Sequence, residues 1–138
     1  MNDFVTHASR GAPTIAVSWG EFIDKVTILE IKERRLRSPE AVSNVRQELA
    51  TLSADLLKLQ QQSAKVVELK KALKSINEIL WDIEDEIRAK EATGSFDFRF
   101  IELARSVYFN NDERARIKRE INVHLNSELV EEKQHPRY

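Results

Sequence analysis

Two apolar runs in the middle of the chain leave little freedom in what it can fold into. Val45, Leu49, Leu52, Leu56 and Leu59 alternate steps of four and three, and Val66, Leu69, Leu73, Ile76, Leu80, Ile83 and Ile87 do the same. Such spacing lays apolar side chains along one stripe of a helix, the seam of a coiled coil. Between the runs the phase slips at Gln60–Lys65. One continuous helix with a discontinuity there is an alternative, but from Pro39 to Glu91 it would be about 80 Å long at 1.5 Å per residue. That is awkward for a domain of 138 residues. The expected form is an all-α helical bundle with a long antiparallel coiled-coil-like hairpin across residues 39–91.

Local chemistry marks the remaining boundaries. Ser18 opens a helix with a capping box, its hydroxyl accepting from the Glu21 N–H while Glu21 reaches back. Phe22, Val26, Leu29 and Leu36 continue a stripe that Ile23 and Ile31 broaden. Ser38-Pro39 ends this helix, because the residue before proline is pushed out of the α region; the same pair caps the next one. Thr93-Gly94-Ser95 closes the long segment, with Gly94 at the position after the helix. Ser95 or Asp97 then caps a helix carrying Phe96, Phe100, Leu103 and Val107. Asn110-Asn111-Asp112 predicts a cap or kink, with a last helix through Ile117, Ile121 and Leu125 that Asn126-Ser127 could restart toward Leu129 and Val130. Residues 1–13 read as a flexible tail, 14–133 as a single domain, and 134–138 as a frayed end.

The charge is nearly balanced, with 22 basic and 23 acidic residues and a formal net charge of −1. No strong general field therefore draws the chain to nucleic acid or to an anionic membrane. Arg34-Arg35-Leu36-Arg37 is a short basic cluster, but Glu33 and Glu40 dilute it. No run approaches the ~20 apolar residues that span a bilayer. With no cysteine there is no disulfide, thiolate or Cys-ligated zinc, which suits a cytoplasmic protein.

Three blocks carry a resemblance: SWGEFIDKVTILEIK from Ser18, LWDIEDEIRAKE from Leu80, and the segment from Phe96 to Lys133 with FIELARSVY, NDERARIKREIN and SELVEEK. Together, and in this order, they resemble a bacterial and phage protein family known only as a domain of unknown function. The resemblance covers most of the chain beyond the N-terminal tail, and it implies no activity.

The polar residues beside the apolar stripes give the candidate site. Glu21 and Asp24, three apart, can approach on one helix face, and carboxylate pairs suit Mg²⁺ or Mn²⁺; a capping box and a solvated face explain them more simply. Glu84 and Arg88 share a stripe flanking the Leu80–Ile83–Ile87 seam, where charges pair across helices or position an arginine for a phosphate or carboxylate. Glu102, Arg105, Tyr108, Asn111 and Asp112 form the densest group. Glu102 can pair with Arg105, and a helix N-terminus at Asn111 or Asp112 beside Arg105, Arg114 and Lys118 would bind an anion. The histidines contribute little: His7 and His135 lie in the tails, and His124 has no partner at metal-ligand spacing. Glu30 and Glu33 form an ExxE, but Glu21–Asp24, an ExxD, precedes it, the reverse of the order in small all-α nucleotide pyrophosphatases. No metal site or cofactor is assigned.

Two functions follow. One is a non-catalytic interaction or accessory module that self-associates through its coiled-coil hairpin, as a homo-oligomer or with another protein. The other is a protein binding a phosphate-containing metabolite, or a metal-dependent enzyme, with a site of Glu21, Asp24, Glu84, Arg88, Arg105, Tyr108 and Asp112. Convergence of these residues on one cleft would favour the second reading; dispersal into separate ion pairs would favour the first.

Overall fold

A computed structural model describes residues 9–127 and 131–137. These form four helices: α1 (Trp19–Arg35), α2 (Pro39–Gln62), α3 (Ala64–Thr93) and α4 (Phe98–His124). No strand occurs among the described residues, and no helix is long and apolar enough to cross a membrane. The fold is all-α.

Each helix begins where its capping residue stands. Ser18 accepts from the Glu21 N–H at 3.1 Å and Ser38 from the Ala41 N–H at 3.3 Å. Asp97, rather than Ser95, caps α4 by accepting from the Phe100 N–H at 3.0 Å. Gly94 ends α3 at φ +66°. The Ser95 and Gly94 N–H groups there bond back to the Lys90 and Glu91 carbonyls, the pattern that satisfies the last carbonyls of a helix. Asn126, at φ +51°, ends α4 in the same way, with the Ser127 N–H on the Asn122 carbonyl at 2.8 Å. Asn126-Ser127 thus terminates α4; Leu129 and Val130 lie outside the described residues.

The expected break between the leucine runs falls on one residue. Ser63 closes α2 through its N–H and opens α3 by accepting from the Val66 N–H at 3.2 Å. The pairing of the runs is different from that expected. Paired charges fix the directions: Glu86 with Arg99 and Lys65 with Glu120 set α4 antiparallel to α3. Asp24 with Asn77 and Arg35 with Asp82 lay α1 parallel to α3. Lys25 with Glu48 and Glu33 with Arg46 turn α2 back along α1. The result is an up-down-up-down bundle in which α3 packs most against α4 and α2 most against α1, while α2 touches α3 only slightly. The extensive antiparallel hairpin is therefore α3–α4, turning at Gly94.

The reason lies at Asn110-Asn111-Asp112. No new cap forms there: α4 is continuous. The Asn110 side chain folds back to donate to the Ser106 carbonyl at 2.8 Å, so it decorates the helix instead of capping a new one. An unbroken α4 is long enough to cover the α3 stripe, and α2 is left to α1.

The core lies at the end of the bundle near Ser63, where Ile23, Leu59, Val66, Leu69, Leu73, Ile117 and Ile121 pack together. Trp19 and Phe22 extend it, their rings edge-to-face at 5.5 Å. At the opposite end α1 stops at Arg35, level with Asp82, so α3 continues past it for roughly 16 Å at 1.5 Å per residue.

Candidate functional site

Asp24 is the pivot. It sits on the inward face of α1, one residue after the core residue Ile23, and is only 1% exposed. A carboxylate removed from water must be hydrogen-bonded or paired. Arg114 of α4 supplies a two-pronged contact: its Nε donates to Oδ1 at 2.9 Å and a terminal nitrogen donates to Oδ2. Asn77 of α3 donates its amide to the same Oδ1 at 2.9 Å and also to the Thr27 hydroxyl at 2.9 Å. Thr27 in turn donates to the Asp24 carbonyl at 2.8 Å. One carboxylate thus ties three helices together. The Arg114 guanidinium, held on Asp24, stays more firmly charged than a free arginine.

A turn further along α4, Lys118 continues the network. It is 5% exposed and meets Glu21 at 2.8 Å, Glu131 of the C-terminal segment at 2.6 Å and Asp24 at 3.9 Å. Burial works against the ammonium charge, but the bonds to Glu131 and Glu21 outweigh it, and Lys118 holds its proton above the ordinary lysine range. Reciprocally, Lys118 keeps the Glu131 carboxyl below its usual range. Gly20 permits the close approach of α1 and α4 behind this cluster. Its N–H donates to Asn122 Oδ1 at 2.7 Å, and a methyl there would overlap the Lys118 carbonyl oxygen.

Above the Asp24 cluster α1, α3 and α4 part to leave a cleft of about 480 Å³. Ile28, Ile31, Leu80 and Trp81 form its apolar wall, and Asn77, Asn111, Glu84, Asp85, Arg88 and Arg114 its polar part. The Arg35 guanidinium lies 5.9 Å from the centroid of the Trp81 ring. Arg114, whose side chain is 27% exposed, joins the buried cluster to this space.

The seven residues singled out from the sequence divide. Glu84 and Arg88 line the cleft, paired with each other at 3.2 Å, and Asp24 lies beneath it through Arg114. Glu21 faces Lys118 instead. Arg105 stands on the outer side of α4; it donates to the Tyr108 hydroxyl at 3.3 Å and lies over the Phe109 ring. The expected Glu102–Arg105 pair is replaced by Glu102 with Arg99 at 3.8 Å. Tyr108 and Asp112 line a separate cleft of about 550 Å³ between α4 and the segment containing Lys133, His135 and Arg137. Because α4 is continuous, Asn111 and Asp112 present no helix N-terminus, and the anion site expected there does not exist in that form.

The Glu21–Asp24 pair is not arranged for a divalent cation, since Arg114 covers Asp24 and Lys118 takes Glu21. Among the described residues no group of three or more His, Asp or Glu side chains is placed to hold a metal ion. Arg34 and Arg35 of the basic cluster pair with Glu78 and Asp82 on α3. His124 shares a 3.0 Å hydrogen bond with Ser63 and ties the end of α4 to the α2–α3 turn.

Against known proteins, residues 14–137 match a family model described as a family of unknown function (DUF6165). The chain belongs to this family. No curated protein and no solved structure gives a significant match. The match spans all four helices and reaches into the C-terminal segment, which includes Glu131 and the tail side of the second cleft.

Sequence reasoning did not place Asn77, Thr27, Asn122 or Glu131 in the site, and it set Arg114 and Lys118 beside Arg105 rather than on Asp24. Asn77 left a readable signal. It stands four after Leu73 and three before Leu80, an amide on an otherwise apolar stripe, and such a residue needs a polar partner when the stripe is buried.

Proposed function

We propose that the protein is a cytoplasmic, non-catalytic interaction module that pairs with a second copy of itself through the tip of the α3–α4 hairpin. The observation that carries the reading is the exposure of Phe96, Phe98 and Ile101 around the Gly94 turn, with Phe98 74% exposed. These residues lie on the part of the hairpin that runs past α1, where two helices alone cannot cover both apolar faces. The surrounding charges are of both signs, Glu86 with Arg99 and Lys90 with Asp97, so one copy does not repel another. The net charge of −1 also lowers the barrier to like-with-like association.

Further support comes from how the candidate polar residues are used. Glu21 and Asp24 are drawn into one network with Lys118 and Arg114 that holds α1 to α4, and Arg105 is turned to the outer side of α4. Burying Phe96, Phe98 and Ile101 from each copy, at roughly 1.5–3 kcal/mol per fully buried side chain, works against an association cost of roughly 4–15 kcal/mol.

Sedimentation velocity across a concentration series tests this. The natural chain should shift from monomer to dimer as the concentration rises. The double variant Phe98→Glu with Ile101→Glu should stay monomeric with its helicity unchanged. A natural chain that remains monomeric at the highest concentration, or a double variant that dimerises equally well, refutes the reading.

A further inference from the structure

We infer that the cleft between α1, α3 and α4 is a binding site for a small organic anion built on a planar ring, held by Arg88 and Arg114 with its ring against Trp81. The inference is independent of self-association, because the hairpin tip and the cleft share no residue.

The first argument is pre-organisation. An arginine on a flexible stem loses rotamer freedom when it binds an anion. Arg114 has already lost it: Asp24 holds two of its nitrogens in a fixed plane. The guanidinium has five N–H donors, and those not directed at Asp24 remain for another acceptor. A guanidinium buried only to balance Asp24 would have no need to line an open space of ligand size. Arg88 is the exposed counterpart, its side chain 79% exposed and, among the described residues, paired with Glu84 one turn away on its own helix. Exposed pairs of this kind hold the side chain weakly, so Arg88 can turn to an incoming anion.

The second argument is the shape and chemistry of the walls. A volume of about 480 Å³ falls within the roughly 300–1,000 Å³ of ordinary small-molecule sites. One wall is apolar and carries the Trp81 indole, with the Arg35 guanidinium 5.9 Å from its centroid, suited to a flat ring. Asn77 and Asn111 border the same space with amides that can meet ring nitrogens or exocyclic groups.

The third argument sets the charge. Glu84 and Asp85 also line the cleft. With Asp24 beneath, which already holds Arg114, three carboxylates stand against the two arginines and oppose a polyphosphate, whose several charges would meet them at close range. The ligand therefore carries one anionic group, a single phosphate or carboxylate. A nucleoside monophosphate and an aromatic carboxylate share that chemistry.

The indole N–H signals of Trp81 and Trp19 in a ¹H–¹⁵N spectrum of the full chain provide the test, with Trp19, packed on Phe22 in the core, as internal reference. The probes are adenosine 5′-monophosphate and indole-3-acetate, with adenosine and inorganic phosphate as controls lacking the anion or the ring. At least one complete probe should shift the Trp81 signal saturably while Trp19 stays fixed, and which one does so separates phosphate from carboxylate. Each control should bind about tenfold or more weakly, and Arg88→Gln should weaken the complete probe about tenfold, the worth of one charge-assisted hydrogen bond. No saturable shift at millimolar concentration of either complete probe overturns the inference. So does equal movement of Trp19, or binding unchanged in Arg88→Gln.

Discussion

Replacing Arg114 by methionine should destabilise the protein by about 3 kcal/mol, toward the lower end of the roughly 3–5 kcal/mol for stranding one member of a buried ion pair. Asp24 loses both contacts of the fork and keeps one hydrogen bond from Asn77 on Oδ1. Two features temper the loss. Arg114 is itself partly exposed, and Lys118, 3.9 Å from Oδ2, is near enough to close on the vacated oxygen. The methionine retains most of the aliphatic stem, so lost packing contributes little. With m of about 1–3 kcal/mol/M, the urea midpoint should fall by roughly 1–3 M when unfolding is followed by circular dichroism. The decisive comparison is Arg114→Met with Asp24→Asn. A neutral amide in place of the carboxylate removes the stranded charge, so the double variant should be more stable than Arg114→Met alone. If Arg114→Met changes stability by less than about 0.5 kcal/mol, the size of an ordinary surface substitution, the pivotal role of Asp24 is wrong. The same follows if the two substitutions simply add.

Three other substitutions probe different parts of the account. Gly20→Ala should lower stability by about 1–3 kcal/mol, despite alanine's better helix propensity, because the added methyl meets backbone of α4; thermal melting checks the sign. Gly94→Ala should cost about 1 kcal/mol for a purely conformational reason, since nothing lies within 4 Å of the added Cβ while φ is +66°. The Glu131 carboxyl is depressed in the folded state by Lys118. Its contribution is therefore present above the unfolded carboxylate pKa of about 4.3 and is lost as pH falls through the lower folded value. Melting temperatures of the natural chain and Glu131→Gln should accordingly converge by about a degree or two between pH 6 and pH 3. Lys118 acts at the opposite limit: its raised folded value means that its contribution is complete below the ordinary lysine pKa and fades as pH rises through the folded one.

The parts of the fold legible in the sequence are those fixed by local chemistry. Ser18, Ser38-Pro39, Gly94 and Asp97 act on backbone groups within a few residues, so their roles could be read without knowing the rest of the chain. The break near Gln60–Lys65 was legible for the same reason, and it fell on Ser63. Partner choice was not legible. A heptad stripe states that a helix will be covered but not by which neighbour, and that choice turned on whether α4 was continuous through Asn110-Asn111-Asp112. Propensity argued for a break; the Asn110 bond to Ser106 and the packing of α4 on α3 prevailed. The site followed the same division. Asp24 stood out as a carboxylate beside core positions, yet its partner Arg114 lies 90 residues away and only the antiparallel arrangement of α1 and α4 brings the two together. Arg105 and Tyr108 were equally dense in polar character but fell on the outer face of the same helix.

Cross-linking at a single introduced cysteine tests the interaction reading most directly, since the chain contains no cysteine of its own. Thr93→Cys places a thiol at an exposed position beside the hairpin tip and keeps Phe96, Phe98 and Ile101, and Leu57→Cys places one at an exposed apolar position on α2. With a short bismaleimide at micromolar protein, Thr93→Cys should give covalent dimer far faster than Leu57→Cys. Equal, slow reaction at Thr93→Cys and Leu57→Cys, or faster dimer formation through Leu57→Cys, would contradict association through the α3–α4 tip.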